Sequence, residues 1–131
     1  MTMSLAAALL SLGPSLGPVP AAELDAGLSA YRWEARPILI FAEADDPRLA
    51  EQLEQFRAAA AALQERDNVV IVGTGEDTAL ARRFQPEGFT VILVGKDGGE
   101  KLRENRVVRA EELNVLIDGM PMRRREIRTG G

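Results

Sequence analysis

Phe89-Thr90-Val91-Ile92-Leu93-Val94-Gly95-Lys96-Asp97-Gly98-Gly99 is the stretch on which the fold turns. An apolar, β-branched run halts at a glycine-rich turn, and a charged run, Glu100 to Asn105, follows at once. That pattern reads as a strand, a tight Asp-Gly turn and a returning strand.

Working upstream, Val69 to Val72 and Pro37 to Ala42 are two further continuous apolar runs. Runs without alternation mark strands covered on both faces, central and parallel to a neighbour. Between them, Asp46 is placed to cap a helix and Pro47 fits its first position. The spacing predicts one helix to about Glu65, with Leu49, Leu53, Phe56, Ala60 and Leu63 on one stripe. Burying its four large side chains is worth roughly 6–12 kcal/mol before chain entropy offsets most of it. A short helix from Ala79 to Phe84 and a loop over Gln85 to Gly88 lead into the hairpin. After the hairpin, Ala110 to Asp118 reads as a helix with Leu113, Leu116 and Ile117 inward. Gly119 is placed as a left-handed cap, and Pro121 as the stop before a tail ending in a frayed 129–131. Trp33, the single tryptophan, is expected to plug one end of the core.

The order is β-α-β-α-β-β-α. A right-handed parallel βαβ unit, an antiparallel hairpin and a closing helix form the thioredoxin-like arrangement, an α/β sandwich on a four-stranded mixed sheet. A small flavodoxin-like sheet is the alternative, and the short final hairpin argues against it.

The chain of 131 residues is one domain, and its 46% hydrophobic content suffices for a core. A net charge of −4 argues against a nucleic-acid partner. With neither cysteine nor histidine, disulfides, thiol chemistry, Ser-His-Asp triads and His- or Cys-ligated metals are excluded. Met1 to Ala22 carries no charged side chain, and Leu5 to Leu12 forms an apolar segment too short to span a bilayer. Glycines and prolines follow it, and Val19-Pro20-Ala21 or Pro20-Ala21-Ala22 offers small residues for cleavage. Residues 1–22 are therefore expected to be an export signal, with the domain over 23–128.

Three strings carry a resemblance: Tyr31-Arg32-Trp33 with Arg36-Pro37, Gly95-Lys96-Asp97-Gly98-Gly99-Glu100-Lys101, and Ile117-Asp118-Gly119-Met120-Pro121-Met122-Arg123. Together they resemble a thioredoxin-like family of unknown function found in exported bacterial proteins. The same strings are similar to the C-terminal module of sushi-repeat-containing extracellular proteins. The resemblance implies a thioredoxin-like fold and a periplasmic or secreted address, and no established activity.

Thioredoxins place their thiols where the first central strand meets its helix. Here that loop is Glu43-Ala44-Asp45-Asp46-Pro47, so the chain is redox-inactive. Glu43, Asp45 and Asp46 could instead hold Ca²⁺ or Mg²⁺ through oxygen; a helix cap with dipole-complementing acids explains them more simply. Gly73-Thr74-Gly75 lacks the third glycine of a phosphate loop, and Glu76 and Asp77 would repel phosphate there. Gly95-Lys96 lies at a strand end and is no Walker motif.

Topology brings the three strings to one end of the sheet. Arg36, Lys96, Asp97, Asp118 and Arg123 become neighbours there, with Trp33, Met120 and Met122 as apolar cover and Lys101 in the adjoining turn. Two readings follow. One is a structural lock of paired charges holding the C-terminal tail. The other is an anion or peptide site, because Arg and Lys outnumber the carboxylates among these residues. Arg123 to Arg125 as a basic patch for anionic lipid is a weaker third reading. The function expected is a non-catalytic binding or structural module of the cell envelope, without cofactor, whose partner is an anionic ligand or an envelope protein. The alternative is an enzyme, divalent-metal-dependent or otherwise, using the Glu43/Asp45/Asp46 loop.

Overall fold

A computed structural model describes residues 16–129. The apolar segment Leu5 to Leu12 and the last two glycines lie outside them. Five strands form one mixed sheet: β1 (Val19–Pro20), β2 (Arg36–Phe41), β3 (Asn68–Gly73), β4 (Thr90–Val94) and β5 (Glu100–Glu104). Their order across the sheet is β1-β3-β2-β4-β5. β3 runs parallel to both β1 and β2, whereas β4 is antiparallel to β2 and to β5. The sheet thus has one strand more than the sequence pattern predicts. The extra strand is two residues long, and with Pro18 and Pro20 flanking Val19 it carries no alternation to read.

The register explains the unbroken apolar runs. Ile38 pairs with Val70 on one side and Leu93 on the other, and Ile40 with Val72 and Val91. These side chains face one layer, where Leu49, Phe56, Leu63, Leu113 and Ile117 cover them. Their neighbours Leu39, Phe41, Val69, Ile71, Ile92 and Val94 face the opposite layer, under Leu80, Phe84, Ala21 and Leu28. Successive residues point to opposite faces, and both faces are buried.

The helices are α1 (Pro47–Ala58), α2 (Ala60–Glu65), α3 (Ala79–Phe84), α4 (Ala110–Asp118) and α5 (Pro121–Arg128). The single helix expected from Pro47 to Glu65 is two, broken at Ala59, whose φ of −109° and ψ of 23° leave the helical basin. No proline or glycine marks that break, and Leu49, Phe56 and Leu63 stay buried through it. Gln52, on the same helix, is fully buried. Its amide donates to the Val108 carbonyl and accepts from the Val108 N–H, both at 2.7 Å, so it ties the loop before α4 to α1. Arg109 stands at the cap of α4 without a capping oxygen, and Glu112 reaches back to its N–H at 3.1 Å.

At the C-terminus two expectations are corrected. Gly119 has φ −83°, in the right-handed region, so it is no left-handed cap. Pro121 opens a second helix, because a fixed φ and a missing N–H suit the first helical position. Trp33 is corrected as well. Its side chain is 54% exposed, and its φ of +69° turns the ring out of the core. Its N–H donates to the Lys96 carbonyl at 2.7 Å, and the Arg32 guanidinium sits 5.1 Å from the ring centre. Residues Leu16 to Ala22, assigned by sequence to the leader, are packed into the fold: Leu16 and Ala21 are buried and Val19–Pro20 is β1.

Candidate functional site

The end of the sheet where β2 and β3 begin and β4 finishes is built from charges. Arg36 opens β2 and is 1% exposed. Its guanidinium donates to the Arg66 carbonyl at 2.9 Å and to both oxygens of Glu126 at 3.3 and 3.2 Å. Its Nε is buried and has no hydrogen-bond partner among the described residues. Lys96, just past β4, is also buried, and its ammonium donates to Asp67 at 2.7 Å and to Glu126 at 2.8 Å. Arg123 on α5 donates to Glu65 at 2.8 Å and to Asp118 at 3.2 Å, and lies 3.7 Å from Glu126. Arg66 completes the set with a two-pronged contact to Asp118 at 3.0 and 2.9 Å.

The electrostatics follow from these contacts. Burial pushes the Glu126 carboxyl up, but the hydrogen bonds from Lys96 and Arg36 outweigh it and hold it below the usual carboxylate range. Asp118 is held down chiefly by the Arg66 hydrogen bond, with burial opposing and Arg123 assisting. Burial disfavours charge on Arg123, yet its bonds to Glu65 and Asp118 raise its pKa above the ordinary value.

Of the residues singled out by sequence, Arg36, Lys96, Asp118 and Arg123 do meet in this network. Asp97 and Lys101 pair with each other at 2.9 Å, and Asp97 also accepts the Gly99 N–H at 2.9 Å, tying the hairpin turn. They stand beside the network without a bond into it. Trp33 touches it only through its backbone. Met120 and Met122 border a small groove of about 200 Å³ with Arg36, Gly95 and Lys96.

Four members were not anticipated: Glu65, Arg66, Asp67 and Glu126. They change the charge balance. Arg36, Arg66, Lys96 and Arg123 face Glu65, Asp67, Asp118 and Glu126, so the excess of cations on which the anion reading rested is absent. Glu126 could have been found from sequence, since it stands three residues after Arg123 and the pair share a face once the tail is read as a helix.

At the opposite end of β2 the acidic loop is already occupied by its own neighbours. Asp46 caps α1 by accepting the Arg48 N–H at 2.9 Å, and the Arg48 guanidinium returns to it at 2.7 Å. That side-chain bond, with the backbone one, lowers the Asp46 pKa. Among the described residues no three acidic side chains gather where they could hold a metal ion, so Glu43, Asp45 and Asp46 do not form the centre that their spacing suggested. The glycine loop behind β3 is similarly closed: Glu76 accepts from the Thr74 N–H at 2.9 Å and the Thr74 hydroxyl at 3.0 Å. Between the two loops lies a groove of about 510 Å³ lined by Phe41, Phe89, Arg48, Arg82 and Gln85, with the Arg48 guanidinium 4.9 Å from the Phe89 ring centre. No described helix is long and apolar enough to cross a membrane.

Comparison with solved structures places the architecture. Chloroplastic thioredoxin z superposes with a TM-score of 0.62 at 16% identity, covering 79% of this chain and 92% of its own. A thioredoxin from Fasciola hepatica gives 0.56 at 12%, covering 78% and 96%. An uncharacterized thioredoxin-like protein from Clostridium perfringens gives 0.56 at 13%, covering 66% and 71%. At such identities the likeness is one of fold. No curated protein matches the chain. A family model, described as a domain of unknown function (DUF4174), matches residues 27–85 and 76–126, which take in every member of the charge network. The chain belongs to the DUF4174 family, on a thioredoxin-like fold.

Proposed function

We propose that this domain is a non-catalytic module of the cell envelope, in which a thioredoxin-like fold serves binding or structural duty without thiol chemistry. One observation carries the reading. The loop after β2, where thioredoxins hold their thiols, is Glu43-Ala44-Asp45-Asp46, and its best-placed carboxylate is spent on capping α1 and holding Arg48. The fold is kept and the reactive groups are not. The charged end supports the structural-lock reading: four cations pair with four carboxylates, with the Arg36 Nε alone of their cationic nitrogens buried without a partner among the described residues, and the pairs clamp α5 against the start of β2, the residue after β4 and the ends of α2 and α4. An added anion would have to displace a carboxylate already in place. The envelope address rests on the uncharged, apolar beginning of the chain and on its resemblance to exported and extracellular modules.

The test is a melting panel on the full chain against Ca²⁺, Mg²⁺, phosphate and citrate at fixed ionic strength. Saturation at a hundredfold above Kd adds about 2.7 kcal/mol to a site that exists. A flat panel is expected. A Ca²⁺ shift lost in Asp45→Asn would overturn the non-catalytic reading in favour of the acidic loop. A phosphate shift lost in Arg123→Gln would make the charged end an anion site.

A further inference from the structure

We propose that a surface groove between residues 25–32, α3 and the β4–β5 turn binds an acidic polysaccharide through the carboxylate and hydroxyls of its uronate rings. The proposal rests on the binding-module reading above and names the class of ligand such a module would take.

The groove has a volume of about 490 Å³, within the range of small-ligand sites. Its two cations, Arg32 and Arg83, close on Gly98 in the hairpin turn. The Arg83 guanidinium donates to the Gly98 carbonyl at 3.2 Å, and the Arg32 Nε lies 3.8 Å from where a Gly98 Cβ would stand. Neither arginine has a carboxylate partner among the described residues. Each is held instead against an aromatic face: Arg32 sits 5.1 Å from the ring centre of Trp33, and Arg83 4.5 Å from that of Phe84. Stacking fixes the plane of a guanidinium and leaves its N–H edge open, and that edge takes a carboxylate with two parallel bonds. The contrast with the charged end is direct. There the cations spend their donors on carboxylates of the chain; here two cations converge with most of their donors unused.

The nearby carboxylates are unequal. Asp97 is held by Lys101 and by the Gly99 N–H, both at 2.9 Å. Glu100, close enough to Arg83 to feel its charge, is clasped by Arg103 at 2.9 Å. Asp25, on the groove wall, has no partner among the described residues, and neither has the Ser29 hydroxyl beside it on the same wall. A free carboxylate repels a bare anion but accepts the protons of hydroxyl groups. The set therefore suits a molecule with one carboxylate and several hydroxyls, as a uronate ring carries. Trp33 is exposed next to Arg32, and its N–H is tied to the Lys96 carbonyl, so it offers an apolar face for the flat side of a neighbouring sugar.

Arg32 and Arg83 are both exposed, so salt screens any single charge contact here. Phosphate and citrate bring charge without a ring and gain little, in keeping with the flat panel expected above. A polymer repeats its carboxylates and hydroxyls along its length, so each contact raises the effective concentration of the next.

The experiment titrates the purified full chain with a short oligomer of galacturonate at about 0.15 M salt. The readout is the fluorescence of Trp33, the single tryptophan, with calorimetry to give Kd for each variant. A saturable change is expected. Arg32→Gln and Arg83→Gln should each weaken binding about tenfold or more and leave the melt unmoved. Arg124→Gln, exposed on α5 and outside the groove, should bind as the parent does. The methyl ester of the oligomer keeps the rings and loses the charges, and equal binding of that ester would overturn the proposal. Displacement of the oligomer by polyglutamate as readily as by polygalacturonate would make the ligand an acidic peptide and overturn it too. No saturable change would sink the site and leave the non-catalytic envelope reading standing. Shortening of the bound oligomer would instead overturn that reading and leave the site.

Discussion

Glu126→Gln is the substitution that bears most directly on the charged end. Glu126 is the one carboxylate that serves Arg36 and Lys96 together, and it lies within reach of Arg123. Glutamine keeps its shape and one acceptor oxygen but removes the charge. Arg36 is 1% exposed and has no other carboxylate partner among the described residues, while Lys96 keeps Asp67. Breaking a fully buried ion pair by removing one partner costs about 3–5 kcal/mol. The Glu126 side chain is 23% exposed, so water offsets part of the loss and about 2–3 kcal/mol is expected. For a domain of this size that corresponds to a fall in melting temperature of roughly 6–15 °C. Circular dichroism melts at pH 7 would measure it, with a urea titration to confirm that the m-value is unchanged. Glu54→Gln, which breaks the exposed pair with Arg57, is the control and should not move the midpoint. Arg36→Met with Glu126→Leu supplies a second arm: an apolar replacement of the whole pair should recover much of the loss. A melt of Glu126→Gln within about 2 °C of the parent would refute the reasoning.

Acid should unfold the protein in a definite window. Glu126 and Asp118 have folded pKa values below their ordinary 4.5 and 3.8, and Glu112 is lowered to about 2 by Arg106 and the Arg109 N–H. The unfolded chain therefore takes up protons first. Stability is complete above about pH 5 and falls as pH drops through the folded values. The urea midpoint should be flat from about pH 8 to 5 and decline below about 4.5; movement near pH 6.5 would contradict a chain without histidine. Gln52→Leu leaves the Val108 N–H and carbonyl buried without partners and should cost about 2–4 kcal/mol in a urea titration. Phe56→Ala, at a fully buried position under the sheet, should cost about 3–5 kcal/mol in the same titration.

Sequence was sufficient for the parts of the fold whose signal is local. β2, β3 and β4 are runs buried on both faces, and a helix starting at Asp46-Pro47 follows from two residues whose chemistry fits only that place. β1 was invisible because a two-residue strand, Val19 and Pro20 after Pro18, has no pattern; its existence depends on β3 having a free edge. Trp33 was misplaced by its own hydrophobicity, since the left-handed turn that ejects the ring is a property of the backbone. At the charged end, the three strings named both halves of the Arg123–Asp118 pair but only one half of the other interactions. Arg36 and Lys96 were legible as cations without their partners, while Glu65, Arg66 and Asp67 lay at the end of α2 and in the turn after it, which only the folded chain brings beneath them.

The missing half decides which reading of that end is stronger. Three basic residues converging with Asp97 and Asp118 invite an anion; four facing four do not. Arg36 and Lys96 share Glu126, while Arg66 and Arg123 share Asp118, so each pair of cations is already separated by a carboxylate. An incoming phosphate would gain attraction from two cations only by approaching the carboxylate between them, and at an effective dielectric of about 20 and 4 Å that carboxylate cancels one of two attractions of about 4 kcal/mol each, leaving one to set against the desolvation of the anion. The cluster also holds neither histidine nor cysteine, the side chains whose ordinary pKa lies nearest neutrality. A binding site gains from groups that wait for a ligand, whereas a clamp gains from groups that are satisfied and unchanging. On that ground we propose the charged end as the fastening of α5, and the search for a further partner belongs at the groove beside Phe41 and Phe89, at the other end of the sheet.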